Sequence, residues 1–79
     1  MDKIHNAVLE FIASAANVDK NDIQLDKTFE DYEIDSILFI RLVIQLEADF
    51  DLIFEDDMLT IEAYSNLGEF IEYVTKANK

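Results

Sequence analysis

Three acidic residues at alternate positions, Asp31, Glu33 and Asp35, lead into Ser36, and the most apolar stretch of the chain, Ile37-Leu38-Phe39-Ile40, follows at once. Alternating carboxylates suggest a calcium loop. A loop opening at Asp31 would need Gly at its sixth position and a bidentate Glu at its twelfth, and the residues there are Ser36 and Leu42. Paired carboxylates for acid–base hydrolysis are equally unspecific, because eighteen Asp and Glu among 79 residues bring close pairs together by chance. A nucleophilic Ser36 would need a base, and the single histidine, His5, belongs to a distant segment with no motif joining the two. One His and no Cys leave little for a transition-metal site, and a lone Gly68 cannot build a phosphate-cradling loop. An enzyme is therefore not expected. Two uses remain for Asp35-Ser36. Both residue types cap helices, by accepting a bond from a backbone N–H that the first turn leaves unpaired, and an exposed serine there is open to covalent modification.

The elements that would hold Ser36 follow from composition and periodicity. One Gly and no Pro suit helices better than the tight turns of a small β-protein. Ile4, Val8, Phe11, Ile12 and Ala15 form the stripe of an amphipathic helix over about residues 2–16, with His5 at its boundary. Residues 17–34 hold no period. Turn formers alternate there with single apolar anchors such as Val18, Ile23, Leu25, Phe29, Tyr32 and Ile34, which predicts a long pinned loop with a helical turn near Asp22–Leu25. A second helix should start at or just after Asp35 and run to Asp49 or Phe50. Its apolar arc is wider than one packed face needs, so Ile37, Leu38 and Ile44 are either a docking surface or the flank of a helix buried on several sides. A short third helix is predicted near residues 55–61, where Glu55-Asp56-Asp57 would suit a helix N-terminus. A fourth, capped by Ser65, carries Leu67, Phe70, Ile71 and Val74, frays over residues 75–79 and sets the terminal lysines at the negative end of its dipole. The expected core is Val8, Phe11, Ile12, Leu42, Val43, Leu46, Phe50, Phe70, Ile71 and Val74. The expected architecture is an all-α four-helix bundle of three longer helices and one short, with a long loop between the first two, forming a single domain over residues 1–79.

With 51% hydrophobic and 30% charged residues, the composition is that of a folded domain despite a formal charge of −12. That charge would repel nucleic acid and anionic membranes, and it either attracts basic protein partners or serves solubility alone. No apolar run approaches the roughly 20 residues that span a bilayer, and no signal-peptide pattern opens the chain, so a cytoplasmic monomer is expected.

In this order of elements, Asp35-Ser36-Ile37 resembles the D-S-L/I attachment motif of the acyl and peptidyl carrier proteins, which are modified with 4′-phosphopantetheine. Leu42-Val43, Leu46-Glu47 and Asp49-Phe50-Asp51 downstream, with Phe29 and Asp31 upstream, are similar to that family's pattern, and the resemblance covers essentially the whole chain. It implies that Ser36 carries the arm through a phosphodiester made from coenzyme A by a phosphopantetheinyl transferase, with magnesium needed only for that step. It also implies that Asp35 assists the modification. The arm would supply the thiol this cysteine-free chain lacks and hold acyl, aminoacyl or peptidyl intermediates as thioesters, handed on by adenylating or acyl-transferring enzymes and downstream synthases.

Two departures from the family pattern bear on this. Glu33 stands where a Gly is usual, so the approach to Ser36 lacks a residue that readily takes φ > 0. At Leu38 and Arg41, carriers of fatty acid synthesis tend to be acidic. The apolar face with one positive charge looks closer to discrete carriers of nonribosomal-peptide or polyketide pathways, and Ile37, Leu38, Ile40, Arg41 and Ile44 are the expected partner surface. A carrier of fatty acid synthesis, an unmodified acidic interaction module and a calcium-binding helical protein are the alternatives.

Overall fold

Ile4, Val8 and Ile12 recur every fourth residue and are all buried, which is why helix α1, Lys3–Ala16, forms and faces inward in the computed structural model, which describes residues 3–77. The expected start at residue 2 lies outside the described residues. The stripe ends before the helix does: Ala15 is exposed, and the last turn buries none of its small side chains. Helix α2, Ser36–Phe50, has the expected limits and buries Phe39, Leu42, Val43 and Leu46. It stops at Asp51, whose left-handed backbone turns its N–H back to the Glu47 carbonyl, a bond that Leu52 N–H also makes at 3.2 Å.

Helix α3, Leu67–Ala77, buries Leu67, Phe70, Ile71 and Val74. Its cap is Asn66 and not Ser65. Asn66 Oδ1 accepts from Glu69 N–H at 2.9 Å, while the Ser65 N–H donates to the Glu69 carboxylate. The long loop sets this register, because Leu67 and Gly68 donate their otherwise orphaned amides to the carbonyls of Lys27 and Leu25, both at 2.9 Å. Gly68 permits the approach: a Cβ there would meet Asn66 Oδ1 at 3.3 Å and Leu25 O at 3.5 Å. Lys76, in the last turn, pairs with Glu72 as expected for that end of the dipole, and Lys79 lies outside the described residues.

The expected short helix over 55–61 is two separate 3₁₀ turns, Asp56–Met58 and Ile61–Ala63. Few residues are available there to offset the cost of nucleating an α-helix, and the Met58 carbonyl is taken by the Tyr64 hydroxyl at 2.9 Å. The architecture is thus all-helical, with three α-helices among the described residues and no full fourth. The loop between α1 and α2 carries turns at Lys20–Asp22, capped by Asp19 slightly earlier than expected, and at Glu30–Tyr32.

Helix α1 packs against both α2 and α3, and the space between is filled by aromatic rings. Phe70 lies at their centre, with centroids 5.2 Å from Phe29, 5.6 Å from Phe39 and 5.0 Å from Tyr64. Of the expected core, Phe11 and Phe50 are only half-buried. Phe29, Ile34, Leu52, Phe54 and Tyr64 enter it from irregular segments. Each tyrosine hydroxyl bonds a backbone group of a connecting segment: Tyr32 accepts from Gln24 N–H, Tyr73 accepts from Glu55 N–H, and Tyr64 donates to Met58. Burial, with smaller contributions from Tyr73 and Asp57, holds the Tyr64 hydroxyl well above the ordinary tyrosine range, so it remains a donor.

Candidate functional site

The approach to Ser36 is built from a single tight turn. Thr28 Oγ1 accepts from Asp31 N–H at 3.1 Å and Asp31 Oδ2 accepts from Thr28 N–H at 3.0 Å, a reciprocal capping box. The backbone bond from Thr28 holds the Asp31 carboxyl below its usual range, against a smaller opposing effect of desolvation and with help from the Thr28 hydroxyl and Lys27. The turn closes at Phe29, whose carbonyl accepts from both Tyr32 N–H at 3.0 Å and Ile34 N–H at 2.9 Å.

Glu33 then adopts φ 60° and ψ 31°. The left-handed conformation that a glycine would supply is therefore present without one. A β-carbon in this region costs about 1–2 kcal/mol, against which a glycine would lose more chain entropy on folding. Glu33→Gly is expected to stabilise the fold by about 0.5–1 kcal/mol, visible as a higher Tm, with Glu33→Ala as the control that removes the charge and keeps the β-carbon. A Gly variant no more stable than the Ala variant would contradict the strain.

Asp35 is extended and caps α2, its Oδ1 accepting from Leu38 N–H at 2.9 Å. Ser36 is the first helical residue and is exposed. Helix geometry leaves its amide and that of Ile37 without an intrahelical acceptor, so the hydroxyl projects from the positive end of a 15-residue helix. An open cleft of about 270 Å³ adjoins it. Ile34 and Ile61 contribute apolar lining, and Glu30, Glu33, Asp35 and Glu62 surround them with carboxylates. The Thr60 hydroxyl donates to Glu62 and is the main cause holding that carboxyl below its usual range. Among the described residues, no group of three or more His, Asp or Glu is arranged to hold a metal ion.

The expected partner residues lie along α2. Ile37 is 68% exposed, Ile44 is 58% exposed, and Ile40 and Arg41 are exposed beside them. Leu38 differs, being partly buried against the core. Ile53, 85% exposed just beyond α2, is a further apolar side chain that helical periodicity could not single out. Glu47 is not a free surface charge, since its carboxylate accepts from Phe54 N–H at 3.2 Å. Ile61 and Glu62 meet Ser36 only through the fold, and no local signal in the sequence joins them to it.

The site's residues fit a phosphopantetheine arm: an exposed hydroxyl at a helix N-terminus is a favourable place for a phosphodiester, with the carboxylate-lined cleft to one side. Residues 6–74 match the family model described as the phosphopantetheine attachment site. The chain is 36% identical over 72 residues to an acyl carrier protein of Phytoplasma mali, covering 90% of this chain and 83% of that protein. It is 33% identical to an acyl carrier protein of Rickettsia canadensis, with 90% and 85% covered. It is 34% identical to acyl carrier protein 2 of Pseudomonas aeruginosa, with 91% and 94% covered.

Proposed function

Because the chain belongs to the acyl and peptidyl carrier protein family, whose members bear a covalently attached 4′-phosphopantetheine, we propose that Ser36 is its attachment residue and that residues 1–79 act as one carrier domain. Such proteins are carriers and not enzymes, and they work with a phosphopantetheinyl transferase and acyl-handling enzymes. The observation that supports Ser36 is its exposed hydroxyl on the first residue of α2, directly after a capping Asp35. In the attachment, the Ser36 oxygen bonds to phosphorus, the coenzyme A pyrophosphate link breaks and the adenosine bisphosphate half leaves. The hydroxyl proton passes to the transferase. Once attached, the arm supplies a thiol for thioester formation.

The cargo reading is an acyl, aminoacyl or peptidyl intermediate of a nonribosomal-peptide or polyketide-type pathway, carried in the cytoplasm. Its support is the exposed Ile37, Ile40 and Ile44 with Arg41, a surface suited to an apolar partner groove more than to a basic patch. The relatives' name, acyl carrier protein, favours an acyl cargo and makes fatty acid synthesis the second reading. The test is intact-mass measurement of apo-protein given coenzyme A, magnesium and a broad-specificity transferase. One phosphopantetheine is expected, and no mass gain would leave an unmodified interaction module. Loading of the holo-protein by an adenylating enzyme, as against recognition by a fatty-acid ketosynthase, separates the pathways.

Asp35 has two separable roles, capping α2 and assisting the transferase. Asp35→Asn keeps an oxygen for Leu38 N–H and loses the charge, whereas Asp35→Ala loses both and should cost about 1 kcal/mol in stability. We expect the Asn variant to melt within a few degrees of wild type yet load slowly. Loading at the wild-type rate would leave Asp35 a cap alone.

A further inference from the structure

The only residue between the buried Ile34 and Ser36 is Asp35, so the place of the Ser36 hydroxyl is inherited from the turn before it. That turn is fixed to the core at both ends of its backbone bond. Phe29 is buried with its ring 5.3 Å from Phe39 of α2 and 5.2 Å from Phe70 of α3, and its carbonyl holds Ile34 N–H at 2.9 Å. What closes the turn at the surface is the reciprocal pair of bonds between Thr28 and Asp31. Neither of these side chains lines the cleft at Ser36. Asp31 is exposed and Thr28 half-buried, so their loss removes little core packing.

We infer that Thr28 and Asp31 are positioning residues for arm attachment: by closing the Thr28–Ile34 turn they hold Ser36 in the presentation the transferase needs. This rests on Ser36 being the attachment residue. The carboxylate acts here as a hydrogen-bond acceptor, so the geometry assigns the role to its oxygen, with the charge strengthening the bond. An amide at position 31 can therefore replace it, and a hydroxyl at 28 is required where an isosteric methyl is not sufficient.

The test measures loading kinetics of Thr28→Val and Asp31→Ala beside the conservative Thr28→Ser and Asp31→Asn. All are assayed well below their melting midpoints, with circular dichroism showing each one folded. Thr28→Val and Asp31→Ala are expected to lower kcat/KM by about tenfold, mainly through kcat, because a small misplacement of a reacting group is costly. Thr28→Ser and Asp31→Asn are expected to load near the wild-type rate, and Thr28→Val/Asp31→Ala together no worse than either alone, since they break one unit. Amide exchange of the unloaded proteins gives a readout independent of the transferase: Ile34 N–H should exchange faster in Thr28→Val and Asp31→Ala only. Wild-type loading by these two variants, an unchanged Ile34 exchange rate, or Asp31→Asn as slow as Asp31→Ala would each overturn the positioning role. A wild-type protein that accepts no arm would overturn the Ser36 assignment itself, a result distinct from these.

Discussion

Ser36→Ala is expected to fold as the wild type does and to gain no mass in the transferase reaction. The stability half of this expectation follows from location. Ser36 is exposed, the cap bond of α2 belongs to Asp35, and surface substitutions of this kind change stability by about 0.5 kcal/mol or less. The loss of modification should be complete, because it removes the oxygen that would bond to phosphorus. The other hydroxyls offer no equivalent. Ser14 lies in the last turn of α1 and Thr75 in the last turn of α3, each far from its helix's positive end, and Ser65 precedes the Asn66 cap with its amide bonded to Glu69. Thr60 is engaged with Glu62, and Thr28 with Asp31. If Ser36→Ala were modified as readily as wild type, the arm would have to sit on one of these, and peptide mapping would show which.

Phe70→Ala should have the largest effect on the fold. Phe70 is fully buried, and its ring meets Phe29, Phe39, Phe54 and Tyr64. Truncating such a residue costs about 3–5 kcal/mol. A chain of 79 residues has a total stability of about 4–12 kcal/mol. The variant should therefore melt about 20 °C or more below wild type, or be unfolded at room temperature. Thermal melting followed by far-ultraviolet circular dichroism checks this, with Phe11→Ala as a comparison, since Phe11 is half-buried and should cost less. A melt of Phe70→Ala within a few degrees of wild type would mean that the rings do not depend on their shared centre.

The centrality of Phe70 also explains what could be read from the chain. Its helix was legible because Leu67, Phe70, Ile71 and Val74 keep helical spacing, as do the buried residues of α1 and α2. Ser36 was legible because a capping pair opens a helix there. The partners of Phe70 were not. Phe29, Phe54 and Tyr64 come from segments without a period, where nothing local separates an anchored aromatic from an exposed one. The choice of Asn66 over Ser65 as cap had the same cause, since both are good caps and the register was decided by carbonyls some forty residues earlier in the chain, at Leu25 and Lys27. Glu33 shows the converse. Its side chain argued against a left-handed residue, yet the bonds at Phe29 and the burial of Ile34 impose that backbone. At the site, Ile61 and Glu62 reach the cleft through tertiary folding alone.

The three tyrosine clamps give this chain an optical property. With no Trp and three Tyr, its intrinsic ultraviolet emission comes from phenol rings alone, with no indole to collect their excitation. The emitters are divided between the two connections: Tyr32 is bonded to the loop between α1 and α2, and Tyr64 and Tyr73 are bonded to two nearby points, Met58 and Glu55, of the segment between α2 and α3. Replacing any two by Phe leaves a single native fluorophore stationed at one connection. Loop opening and partner docking could then be followed separately at each, without attaching a dye.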